Sequence, residues 1–476
     1  MFSSNAKNVE YFTQKLGGSF DIVNKTLDVG GKAVTILYLK TLVDDKLLAE
    51  MVLLPLKSTK ESEITVENIR NNILATADLD DIKGGSEDEK DKALIESIIG
   101  GACAIFVDGE TEAVCADIKN FPKRSPSEPP TSAVIYGPRV GFVEAIETNI
   151  AMLRKRLASP EFIIKNFTVG EFTQTKVFVA YLGSVARGDV VKKICKKIES
   201  IKIDGVIDSN YIVSYFQQGT KVFKRCGITE KPDIVAAKLL EGRVAILVDG
   251  SPVVITLPFL LFEDLQNSND YYSNSVYASF IRFIRLVGVF ISAILPGAYL
   301  ALRLYHYKVL PLRFLITIAN TTEGLPFTPF VESLFIVVLF QILYEVSLRL
   351  PQYLGLATSI VGALVLGQTG VSAGLISPPA VVIIALSFIS VYTVSDQIAQ
   401  LTLLRVLFLV IGGTVGILGI VGGIIYFANH LATFNQFGTS YLAPYAPRKD
   451  KDLNDGLIKK TAPKIQSRPE SLHPKK

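Results

Sequence analysis

The sequence predicts an α/β soluble N-terminal domain of two related subdomains, followed by an α-helical multi-span membrane domain. Three observations predict it. Ala104-Ile-Phe-Val-Asp-Gly109 returns as Ala245-Ile-Leu-Val-Asp-Gly250, an offset of 141, and Val34-Thr-Ile-Leu-Tyr-Leu39 returns as Val177-Phe-Val-Ala-Tyr-Leu182, an offset of 143. Near-equal offsets in the same order are the mark of one unit present twice. Charged residues, 20% of the 476, crowd into the first 270 positions and the last 30. From about 283 to 431 the chain is apolar and rich in small residues, in runs near 20 residues that can cross a hydrocarbon core.

Each copy begins with a β-rich run and continues into amphipathic helix. In the second copy Val190, Ile194, Ile198 and Ile201 recur on one helical face. Each copy ends in a hairpin whose turn opens with Asp-Gly, a pair suited to positive φ. Turn chemistry is the plain reading of both Val-Asp-Gly elements, ahead of a role in touching a ligand. The acidic, Lys-rich stretch 78–91 reads as a mobile loop of the first copy. A Pro/Ser linker at 121–131 separates the copies, and a charged segment follows at 146–157. The second copy runs through Glu241-Gly-Arg-Val-Ala-Ile-Leu-Val-Asp-Gly250 to a short acidic, aromatic joint at 262–272.

The apolar part divides into segments at 283–302, 310–327, 330–350, 354–376, 379–394 and 401–431. Pro296 predicts a kink in the first. The second is interrupted by Asn320-Thr-Thr-Glu-Gly-Leu-Pro326 and reads as short or re-entrant. With both termini on one face the crossings must be even, either six or four with two partial segments. The expected domains are 1–130 and 131–270 for the two soluble subdomains, 271–435 for the membrane part, and 436–476 for a basic tail on the cytoplasmic membrane surface. Trp is absent, so Tyr299, Tyr305, Tyr307, Tyr426, Tyr441 and Tyr445 are expected to supply the interfacial belt.

Several function classes are excluded. The N-terminus has no apolar leader, so the large soluble domain is expected to stay cytoplasmic. A net charge of +4, without a basic stripe, gives no footprint for nucleic acid. Four cysteines without metal or disulfide spacing read as reduced, buried thiols. No P-loop, HExxH or nucleophile elbow appears, so neither catalysis, cofactor nor metal is expected. A folded domain joined to small-residue spans points to a receptor, channel or transporter.

The ordered motifs name a family. Gly137-Pro-Arg-Val-Gly-Phe142, Asn149-Ile-Ala-Met-Leu-Arg-Lys-Arg156, Thr229-Glu-Lys-Pro-Asp233 and Glu241-to-Pro252 lie in the soluble part. Asp270-Tyr-Tyr272, Pro296-Gly-Ala-Tyr-Leu-Ala-Leu302, Glu323-Gly-Leu-Pro-Phe327, Arg349-Leu-Pro351, Ser359-Ile-Val-Gly-Ala-Leu-Val-Leu-Gly-Gln368 and Ser440-Tyr-Leu-Ala-Pro-Tyr445 follow. With these the chain resembles the A subunit of GerA-type spore germination receptors, from about residue 136 to the end and more weakly before it. At 340–345 it departs from the family, which carries two acids and an Arg there; Gln341 and Tyr344 break that pattern. The resemblance implies a multi-pass protein of the spore inner membrane. It implies a transporter-like B subunit and a lipoprotein C subunit as partners, and a small-molecule nutrient sensed by the complex. It also implies a homo-oligomer that forms an ion channel opened by that signal.

The stretch 359–377, SIVGALVLGQTGVSAGLIS, carries the candidate site. Ser359, Gly362, Gly367 and Ser372 leave little side-chain bulk, which suits either close helix packing or the lining of a water-filled path. Val361, Leu364 and Val365 are candidates for an apolar gate. Gln368 is a large amide that must face protein or water. Gly412, Gly416, Gly419 and Gly423 form small-xxx-small patterns, read as helix packing. Glu323 and Glu332 are candidates for a cation-selecting vestibule, although Glu332 also suits a helix N-terminus. Glu345 and Arg349, four apart, read as a local salt bridge. A permease subunit, suggested by the broken segments, and a ligand-sensing scaffold remain alternatives to the channel.

Overall fold

The computed structural model describes residues 1–59, 64–74, 78–80, 87–119, 137–217, 222–350, 364, 367–464 and 467–475. The chain divides into two compact units. One comprises Met1–Gly219, Arg225–Phe259 and Ser467–Lys476; the other comprises Thr220–Lys224 and Leu260–Gln466.

The first unit holds two five-stranded antiparallel sheets of one topology. In the first copy α1 (Asn5–Lys15) precedes β1 (Ile22–Val29), β2 (Lys32–Leu39), β3 (Asp78–Asp80), α2 (Glu87–Ile99), β4 (Ala102–Val107) and β5 (Ala113–Asp117). In the second, α3 (Ile146–Arg156) precedes β6 (Phe162–Val169) and β7 (Thr175–Leu182). The helices α4 (Gly188–Glu199) and α5 (Ser209–Phe216) follow, then β8 (Gly227–Thr229), α6 (Pro232–Leu240), β9 (Val244–Val248) and β10 (Val254–Leu257). The strand orders are β1-β2-β4-β5-β3 and β6-β7-β9-β10-β8. The repeated motifs fall on the central strands β2, β4, β7 and β9, which are buried almost throughout. Their near-continuous apolar runs follow from helices covering the sheets.

The repeat extends into polar detail. Asn8 exchanges two hydrogen bonds with the Phe2 backbone, and Asn149 does the same with Val143. The Gly109 and Gly250 N–H groups donate to the Ser3 and Glu144 carbonyls. Asp108 and Asp249 accept from the first N–H of α1 and of α3, at Asn5 and Ile146. Each of these pairs keeps the offset of 141. The Asp-Gly turn therefore does two jobs. Its glycine takes the positive φ (91° and 82°), and its aspartate satisfies an orphan donor at a helix start.

The two copies are joined inside this unit by a buried ion pair. Arg154, at the end of α3, grips Asp21 through Nε and Nη2, each at 2.7 Å, and its Nη2 also donates to Ser19 Oγ at 3.1 Å. Ala151 packs with the apolar side chains of α1 and α2. The stretch 78–91, read from sequence as a loop, contributes β3 and the first turn of α2. Helix propensity across Glu-Asp-Glu-Lys-Asp-Lys outweighs its lack of apolar residues, because α2 buries Leu94 and Ile98 a turn later.

The second unit is helical. It contains α7 (Ser275–Leu304), α8 (Leu312–Thr322), α9 (Pro329–Arg349), α10 (Pro378–Val391), α11 (Ile398–Thr414) and α12 (Ile417–Ala432). Among the described residues, three helical stretches have the length and apolarity to cross a membrane: α7, α9 and 378–414. The last is α10 and α11 joined through a 3-10 turn, Tyr392–Gln397, in which Val394 leaves helical geometry. Pro296 sits inside an unbroken α7, which begins at Ser275, eight residues before the expected start.

One expectation fails here. The run 401–431 is not one segment. It folds back at Gly416 (φ 76°), so that Phe408 of α11 meets Phe427 of α12 at 6.0 Å. The Tyr305 hydroxyl stops α11 by donating to the Gly413 and Thr414 carbonyls. The segment 310–327, read from sequence as short or re-entrant, forms the 11-residue α8, about 16 Å long and too short to span. The tail is also built into the fold. Tyr441 is buried and donates to the Lys224 carbonyl, and Lys475 bonds Val185 and Gly183 in the first unit.

Candidate functional site in the membrane unit

Of the small-residue stretch, Ser359, Val361, Gly362 and Val365 lie outside the described residues. Leu364 is 64% exposed. Residues 367–372 are helical, as is Leu364, and Gln368, Thr369 and Ser372 on them are exposed. A side chain built at Gly367 would meet nothing. The helix ends where Gly374 takes φ 64°, with the Gly370 carbonyl accepting from Leu375 and Ile376 N–H. Gly374 can adopt that conformation without the steric penalty of a Cβ. Ser377 and two prolines then start α10 in a new direction. The described part of the stretch is therefore a helix and a break that leads into α10.

Glu332 holds that break. It sits in the first turn of α9, fully buried. One carboxylate oxygen accepts from Arg303 Nη1 at 2.7 Å, and the other from the Ser377 N–H at 2.6 Å. The ends of α7, α9 and α10 thus meet on one carboxylate, and Glu332 does not stand open to a vestibule within the single chain. Glu323 is the C-terminal cap of α8 and is exposed. Glu345 and Arg349 form an exposed pair at 2.7 Å.

The glycines have distinct surroundings. A Cβ on Gly412 would be driven into the Gly297 backbone, and one on Gly297 into the Phe408 carbonyl, so α7 and α11 cross backbone against backbone. Gly416 forms the hairpin corner against Tyr305. Gly419 faces Val415 and Ile411, and Gly423 faces Phe408, both across that hairpin.

Charged groups gather where α7 begins. Asp270 binds Arg282 and Arg285, with its nearest contact at 2.7 Å, and Arg282 also reaches Asp455 at 3.0 Å. Burial would raise the Asp270 carboxyl, but Arg285, the Asn267 N–H and Arg282 outweigh it and hold it below the usual range. Nearby, Asp264 is buried beside Lys224 at 3.3 Å and accepts from Gln397 at 3.1 Å. Here burial dominates, reinforced by Asp396 and only partly offset by Lys224, and pushes Asp264 up to about 6.

Comparison with known proteins decides the family. Residues 10–471 match the family described as Bacillus/Clostridium GerA spore germination protein. The chain belongs to the GerA family. It is 34% identical to "Spore germination protein KA" of Bacillus subtilis (strain 168), over 98% of this chain and 87% of that one. It is 32% identical to "Uncharacterized membrane protein YfkQ" of the same organism, over 96% and 89%. The crystal structure of the N-terminal domain of the A subunit of the Bacillus megaterium spore germinant receptor GerK3 is 26% identical, covers 55% of this chain and 97% of that one, and gives a TM-score of 0.42.

This GerA-family chain is thus a spore germination receptor A subunit, a membrane protein of a non-enzymatic family. Sequence reading passed over the groups that organise its membrane unit. It did not single out Arg303, Asp264 or Asp455. A signal was present in Arg282 and Arg285: two cations three apart at the mouth of an apolar run need carboxylates, and Asp270 is the acid just before them.

Proposed function

We propose that this A subunit assembles as a homo-oligomer in the spore inner membrane and lines a germinant-gated ion path. Its N-terminal unit lies in the cytoplasm. A transporter-like B subunit and a lipoprotein C subunit complete the receptor, and the complex senses a small-molecule nutrient. One observation carries the reading: Gln368, Thr369 and Ser372 are exposed on a helix that packs Val371 against an apolar cluster. An unpaired amide in hydrocarbon is costly, so this polar edge requires water or another protein surface. A ring of copies supplies both. The break at 373–377 lets the edge move relative to α10, and Glu332 couples that movement to α7 and α9. Glu323, exposed at the end of α8, supplies the cation-selecting charge.

A second reading, a permease-like subunit, draws on the same helix break, because discontinuous helices bind substrates in many transporters. Cysteine accessibility separates the two. The four native cysteines are all buried, so background labelling is low. Cysteines at 364, 367, 368 and 372 in the assembled receptor should label in the presence of nutrient along one edge, whatever the substrate. Positions that stay inert with nutrient bound would end the channel reading.

A further inference from the structure

Arg405 presents an electrostatic problem that the rest of the membrane unit does not solve. It lies on α11 and is 0% exposed. Nε donates to the Ser292 carbonyl at 3.0 Å and Nη2 to the Ser387 carbonyl at 3.2 Å. The guanidinium stacks over the Phe388 ring, 3.8 Å from its centre. Nη1 is buried and has no hydrogen-bond partner among the described residues. A guanidinium does not shed its proton in a protein, so the charge stays.

Residues 283–434 contain four carboxylates: Glu323, Glu332, Glu345 and Asp396. Glu332 is engaged by Arg303 and Ser377, and Glu345 by Arg349. Asp396 is exposed, 3.9 Å from Lys224, and Glu323 is exposed at the far end of α8. None of them pairs with Arg405. The undescribed residues 351–363, 365 and 366 include no acid. Carbonyl dipoles and a ring face solvate the cation in part, but a whole charge buried among apolar helices is normally paired.

We propose that Arg405 binds a small monovalent inorganic anion of the size of chloride, held at Nη1 in the seam of α7, α10 and α11. The anion neutralises the guanidinium and takes up its unpaired donor. A side chain of another subunit is a poorer occupant, because Arg405 has no exposed surface for it to reach. Water would satisfy the N–H but leave the charge. The site is independent of whether the chain conducts ions.

The test uses the full-length protein in detergent or nanodiscs. Chloride is titrated against gluconate at constant ionic strength, and thermal unfolding is followed. A saturable rise in Tm with chloride is expected for wild type. It should weaken in Arg405→Lys by about tenfold in apparent affinity and vanish in Arg405→Gln. Crystals soaked in bromide should show an anomalous peak within hydrogen-bond distance of Nη1. An unchanged Tm from gluconate to chloride, or a shift that survives in Arg405→Gln, overturns the proposal. So does non-anomalous density of water strength at Nη1. If Arg405→Gln does not fold, the lysine variant and the bromide peak still decide.

Discussion

Asp21 and Arg154 illustrate how a single residue pair can join two copies of a fold. Both side chains are almost wholly buried, and Asp21 also accepts from Ser19 and Thr41. Removing the carboxylate in Asp21→Ala leaves a buried guanidinium without its counter-charge, a loss of about 3–5 kcal/mol. Chemical unfolding should show it as a lower midpoint, and the reverse variant Arg154→Ala should cost a comparable amount. Burial acts to raise the Asp21 carboxyl, but Arg154, Ser19 and Thr41 together leave it below its ordinary value. A depressed carboxylate stabilises the fold above the unfolded pKa of about 3.9 and loses that contribution as pH falls through the folded value. The joint should therefore hold at neutral and mildly acid pH. Asp264 behaves oppositely. Its folded pKa of about 6 lies above the unfolded value, so the folded state binds the extra proton. Its effect is most favourable below about pH 4 and is lost as pH rises through about 6. In Tm measured against pH, Asp264→Asn should remove that decline between about pH 4 and pH 6; an unchanged profile would place the titration elsewhere. Neither pair was legible in the sequence, where 133 residues separate Asp21 from Arg154 and 40 separate Lys224 from Asp264.

At the scale of elements, the repeat was the most legible feature because it is written in apolar strands whose burial leaves few alternatives. Its polar counterpart was hidden: Asn8 and Asn149 look like unremarkable amides until each is seen bridging the residue six before it. Asp249→Ala and Asp108→Ala should each cost about 1 kcal/mol through the lost cap at α3 or α1. The helices were less legible. An apolar run containing several glycines reads equally as one long helix or as a hairpin. What separates them is the positive φ of Gly416 and the Tyr305 hydroxyl waiting at the end of α11, neither of which leaves a local signature. The close crossing of α7 and α11 gives a sharp contrast between glycines. Gly412→Ala forces a Cβ into the Gly297 backbone and should destabilise by about 1–3 kcal/mol or more. Gly422→Ala meets nothing and gains helix propensity, so its Tm should stay level or rise slightly. Equal losses in the two variants would mean that the crossing is not a tight one.

Across the whole molecule, the membrane unit leaves much apolar surface uncovered. Phe283, Ile342, Val382 and Leu418 are all exposed, as expected for helices that meet lipid or other copies. The polar edge at Gln368, Thr369 and Ser372 is the exception that a lipid surface does not satisfy. Its small side chains and amide were visible in the sequence, but their exposure was not, because a glycine-rich helix can be packed on every side. Glu332 sits at a helix N-terminus, one of its two sequence readings, and there it anchors three helix ends. The two acids should accordingly separate in function. Glu323→Gln should lower cation selectivity in reversal-potential measurements while leaving assembly intact, whereas Glu332→Gln should weaken assembly or stability first. The measurement that bears most directly on the proposed ion path is flux from liposomes holding this subunit with its B and C partners, before and after nutrient. Flux should rise on nutrient addition and change in rate or selectivity with Gln368→Leu. An assembled complex that passes no ions under any nutrient would contradict it.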